Sequence, residues 1–123
     1  MAMKTKTMMT PEQKMAVEKS FEAALDLIDE CPNGQEIVGE MLALMKMLLK
    51  KNIAYGDAAL NPLRVFSKAS LDEQIRVRLD DKISRLARGA NSGEDVELDL
   101  LGYLVLLRVM RRIEAMAKIS AKE

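Results

Sequence analysis

Residues 70–89 read SLDEQIRVRLDDKISRLARG, and the fold turns on whether this stretch is strand or helix. Ile75-Arg76-Val77-Arg78-Leu79 alternates apolar and polar residues, the period of a half-buried strand. Its frame argues for a helix. Ser70-Leu71-Asp72-Glu73 places a glutamate three residues after a hydroxyl, the signature of a capping box. Ile75, Leu79, Ile83 and Leu86 then recur at helical spacing, and Gly89 is placed to end the helix.

The same reading extends in both directions. Thr10-Pro11-Glu12-Gln13 opens an earlier helix, with Val17, Phe21, Ala24, Leu25 and Ile28 on one stripe. Cys31-Pro32-Asn33-Gly34 turns the chain into a second helix over about 35–52, whose inward stripe is Ile37, Met41, Leu44, Met45 and Leu48. These two read as an antiparallel hairpin. Residues 54–69 form a loop with a helical turn near Leu63–Phe66. After a bend at 90–93, capped by Asn91 or Ser92, EDVELDLLGYLVLLRVM (94–110) is apolar on most sides and should be central. The expectation is an all-α, roughly four-helix bundle: a helical hairpin plus a second helix pair around the apolar C-terminal helix. It comprises a flexible N-terminus over 1–9, a single domain over 10–119 and a tail over 120–123.

Composition removes several function classes. The chain has 123 residues, 19 basic and 19 acidic, so no bulk cationic field draws it to duplex nucleic acid. Aromatics are 3%, too few for a single-strand stacking platform. Histidine is absent and Cys31 is the one cysteine, which excludes imidazole-based triads, histidine or thiolate metal sites and an internal disulfide. Carboxylates remain, and these favour a hard ion such as magnesium. The opening MAMKTKTMMT lacks the apolar core of a secretory signal, and no stretch is long enough to span a bilayer, so the expected location is cytoplasmic. Ten methionines fill core space or a homo-oligomer interface.

Two clusters carry candidate chemistry. Asp95 and Asp99 lie four apart on the last helix, and an antiparallel partner would bring Asp81 opposite them. Three carboxylates from two helices would hold a magnesium ion, with Arg64, Arg78, Lys82 and Arg85 as phosphate partners. The alternatives are structural: a helix-dipole role for Asp95, a salt bridge from Asp99 to Lys82 or Arg85, and an intrahelical Asp81–Arg85 pair. The other cluster is the loop Asn52-Ile53-Ala54-Tyr55-Gly56-Asp57. There Gly56 permits close backbone approach, Tyr55 would stack on a base, and Asn52 and Asp57 would bond sugar or base edges. Its structural alternative is a helix C-cap. Tyr103 is expected in the core.

Lys51-Asn52, Tyr55-Gly56-Asp57, Arg78-x-Asp80-Asp81-Lys82-x-x-Arg85-Leu86 and Glu94-Asp95-x-x-x-Asp99-Leu100-x-Gly102-Tyr103 resemble phage and prophage nucleotide-modification-associated helical domains. Those are similar to the MazG-like all-α nucleoside triphosphate pyrophosphohydrolases. The resemblance covers roughly residues 45–110. It implies a helical, often oligomeric protein with a nucleotide ligand and an acidic magnesium site at Asp81, Asp95 and Asp99, beside Lys82 and Arg85. The chain departs from the pyrophosphohydrolases, which usually carry Glu-x-x-Glu and Glu-x-x-Asp pairs; here the nearest are Glu36-x-x-x-Glu40 and Asp95-x-x-x-Asp99. Three functions are therefore in play. They are magnesium-dependent pyrophosphate release, non-catalytic sequestration of a cyclic nucleotide or ADP-ribose-type immune signal, and helical self-association or partner binding.

Overall fold

The computed structural model describes residues 9–89 and 93–122. Four helices occur, and no strand forms among the described residues: α1 (Pro11–Leu25), α2 (Gly34–Ala54), α3 (Leu71–Arg88) and α4 (Val96–Lys122). The fold is all-α. The alternation at 75–79 is thus a helical face read at short range, and its frame decided the outcome. Ser70 caps α3 by accepting the Glu73 N–H, and Gly89 closes it in the left-handed conformation at φ 65°. Thr10 caps α1 with a full capping box to Gln13. The expected caps Asn91 and Ser92 lie outside the described residues. Within them, Asp95 accepts the Leu98 N–H at 3.0 Å at the start of α4.

The chain divides into two units, 1–41 and 42–123, with the boundary inside α2, where the sequence reads as one domain over 10–119. In the first unit α1 buries none of its residues, and Val17, Phe21, Leu25, Ile37 and Met41 are exposed. Of the expected inward stripe of α2, Leu44 is buried at 6% exposure and lies in the second unit. The turn itself is tightly built. Gly34 sits so close to the Ile28 carbonyl that a Cβ there would lie 2.6 Å from its oxygen, and Asn33 takes a positive φ of 59°.

In the second unit α3 packs along α4. Their shared apolar cluster is Ile75, Leu79, Leu107 and Met110, flanked by Leu60, Leu71, Leu100 and Tyr103. Ile83 and Leu86, expected on the buried stripe, are exposed, because the far end of this contact is built from charges instead. α2 approaches α4 at Gly102, where an added Cβ would lie 3.0 Å from Leu48 Cδ2 and 3.1 Å from Met47 Cε. The absent side chain is what admits those two residues. No helical turn forms at 63–66; Arg64 adopts a positive φ of 59°, and Leu63 and Phe66 are exposed. The expected tail is helical as far as Lys122, consistent with the helix-favouring Ala117, Lys118, Ala121 and Lys122. No helix among the described residues is long and apolar enough to cross a membrane.

Candidate functional site

The antiparallel course of α3 and α4 determines which side chains meet. Ile75 packs with the Leu107–Met110 end, Arg78 lies over Tyr103, Lys82 reaches Asp99 and Arg85 reaches Glu94. Residue numbers rise along one helix as they fall along the other. One turn beyond the apolar cluster the contact becomes ionic.

The charges form a chain. Asp81 Oδ2 lies 3.3 Å from Arg85, whose Nη1 donates to Glu94 Oε2 at 3.0 Å. Glu94 also lies 3.5 Å from Lys82 Nζ, which reaches Asp99 Oδ2 at 3.4 Å. The second Asp99 oxygen accepts from Lys51 Nζ of α2 at 2.9 Å. Anions and cations alternate along Asp81, Arg85, Glu94, Lys82, Asp99 and Lys51, three of each sign. At its centre the Lys82 and Asp99 side chains are each only 11% exposed, so each needs the other.

Burial pushes the Asp99 carboxyl up, but the hydrogen bond from Lys51 and the charges of Lys51 and Lys82 outweigh it. The group is held below its ordinary value. In return, the hydrogen bond to Asp99 raises the Lys51 ammonium above its own ordinary value, against a smaller opposing effect of burial.

This ionic end borders a half-open cavity of about 450 Å³ within the second unit. Met47, Leu48 and Leu106 form apolar wall, and Lys51, Asn52, Arg78, Lys82, Glu94 and Asp99 supply polar groups. Both tyrosines of the chain line it. Tyr103 is half-buried against the core, as expected, and its ring also lies 5.9 Å from the Arg78 guanidinium, within cation–π range. Tyr55 is 69% exposed.

Asn52, Tyr55, Arg78, Lys82 and Asp99 are therefore brought together. Gly56, Asp57, Arg64, Arg85, Asp81 and Asp95 do not line the cavity. Gly56 and Asp57 end α2 with positive φ values of 59° and 64°, and the Asp57 N–H donates to the Asn52 carbonyl. The loop is a helix C-cap that places Tyr55 at the cavity rim. Arg64 accepts from Lys68 through its carbonyl, away from the site. Arg85 is one step removed, holding Glu94.

The three acids expected to hold magnesium are each engaged separately. Among the described residues no three acids, cysteines or histidines gather in a group able to hold a metal ion. Asp81 is one position off the face that meets α4; its side chain is half-exposed and pairs with Arg85 on its own helix. Asp95 is engaged as a cap, and Asp99 already faces two ammonium groups. A cation would have to displace both.

Lys51, Glu94 and Tyr103 line the cavity but are not among the ligand or metal residues named from the sequence, and Lys51 is the one whose position could have been read. Its signal was its place one helical turn before Tyr55, which puts both on one face of α2. Comparison of the chain with family models, curated proteins and solved structures returns no match.

Proposed function

We propose that the second unit is a nucleotide-binding module that holds its ligand without cleaving it. The observation that carries this reading is one cavity that combines both tyrosines with Lys51, Arg78 and Lys82. The exposed face of Tyr55 suits a base, the cations suit phosphate, and Asn52 supplies an amide for base or sugar edges. The cavity volume lies in the ordinary range for small-molecule sites. Binding is favoured over hydrolysis because the acids are consumed by cations and a cap rather than gathered for a metal. The resemblance to nucleotide-modification-associated domains points to the same ligand class, while the pyrophosphohydrolase activity of the related family is not carried over.

A thermal-shift screen of nucleotides, with and without magnesium, tests the reading, since a ligand specific for the folded state raises the midpoint. Binding should occur in chelator, the ligand should be recovered intact after denaturation, and Arg78→Gln should abolish the shift. Turnover that depends on magnesium and is lost in Asp99→Ala would favour the hydrolase instead. A second reading, self-association, is favoured by the exposed Val17, Phe21 and Leu25 on a helix that buries nothing. Light scattering that gives a monomer mass at high concentration would remove it.

A further inference from the structure

We infer that the cavity takes a nucleotide bearing a single phosphate group rather than a polyphosphate. This rests on the nucleotide-binding reading above and narrows its ligand by charge. The chain of six alternating groups from Asp81 to Lys51 is neutral by itself. Lys51 and Lys82 line the cavity, yet their charge is already matched by Asp99 and Glu94. Arg78 differs from them. Among the described residues it meets no carboxylate, and its one partner is the face of Tyr103. The cavity thus presents one uncompensated positive charge, borne on a planar donor that can grip two phosphate oxygens at once.

A triphosphate brings several negative charges. To neutralise them without a metal, Lys51 and Lys82 would have to turn from Asp99 to the ligand. That would strand a carboxylate whose side chain is 11% exposed, which costs more than an exposed pair would. Asp99 is in this sense a resident competitor of phosphate. It holds both lysines in the wall and leaves Arg78 as the anion contact. A single phosphate on Arg78 leaves the ionic chain intact, with the base against the exposed ring of Tyr55.

The test is isothermal titration in chelator with adenosine, guanosine, cytidine and uridine, each as nucleoside, 3′,5′-cyclic monophosphate, 5′-monophosphate and 5′-triphosphate. At least one single-phosphate form should bind, and its triphosphate should bind no tighter. In Asp99→Asn, which frees Lys51 and leaves Lys82 with Glu94 alone, that triphosphate should gain about tenfold in affinity while the monophosphate changes less. A wild-type triphosphate about tenfold tighter than the monophosphate would overturn the inference and leave the nucleotide reading standing. An unchanged triphosphate in Asp99→Asn would overturn it too. Should that variant not fold, the wild-type series decides alone. Absence of binding by every compound would remove both proposals.

Discussion

The two ends of the α3–α4 contact are built from the same helices and do different work. At one end Ile75, Leu79, Leu107 and Met110 exclude water, and Ile75 is only 1% exposed. At the other, about two turns along α3, Lys82 faces Asp99 and the contact opens into the cavity. Apolar burial there would have been cheaper, because a half-buried ion pair seldom outperforms a packed hydrophobic pair. The difference teaches that apolar burial and charge pairing are segregated along a single helix pair.

The sharpest way to break this contrast is at the apolar end. Ile75→Ala should cost about 2–5 kcal/mol, read from urea denaturation, because it opens a cavity in the centre of the cluster. A loss below about 1 kcal/mol would mean that this end is not the core. At the ionic end, Asp99→Ala should cost less, about 1.5–3 kcal/mol, because Lys51 remains half-exposed while Lys82 loses its main partner. Should the two costs be reversed, the assignment of stability to the apolar end fails.

Titration sharpens the same contrast. A carboxyl whose pKa is lowered by folding stabilises above its unfolded value and loses that contribution as pH falls through the lowered folded value. A raised lysine stabilises fully below its unfolded value and loses the contribution as pH rises through the raised folded one. The gap in melting temperature between wild type and Asp99→Asn should therefore be widest near neutrality. It should close in acid below the ordinary aspartate range, and narrow again in strong alkali. A gap that is flat with pH would show that Asp99 is not paired as a charge. The smallest effect belongs to the exposed Arg76–Asp72 pair at 2.7 Å, where Arg76→Ala should change stability by less than about 0.5 kcal/mol in the same denaturation assay.

The helices were legible because their punctuation is local. Thr10, Ser70 and Gly89 act within one turn of themselves, so the sequence contains what is needed to place them. The site was legible only in part. Lys82 and Asp99 meet because two helices run antiparallel, and that much follows from the short link that the sequence leaves between them. Which neighbour faces inward does not: Asp81 and Lys82 are adjacent, about 100° apart on the helix, and that angle separates a half-exposed carboxylate from a nearly buried ammonium. Lys51 lies 48 residues from Asp99, and its approach depends on Gly102 admitting Met47 and Leu48. No spacing rule within one helix reports such a contact. The tyrosines were visible as residues, but their convergence on one cavity is a product of three elements.

Chemical-shift mapping tests the division of labour most directly. On titration with the tightest single-phosphate nucleotide, signals of Lys51, Tyr55, Arg78, Lys82, Asp99 and Tyr103 should move together and saturate, while those of Ile75, Leu79, Leu107 and Met110 stay in place. Shifts that appear first at the apolar end, or that saturate nowhere around Arg78, would contradict the account.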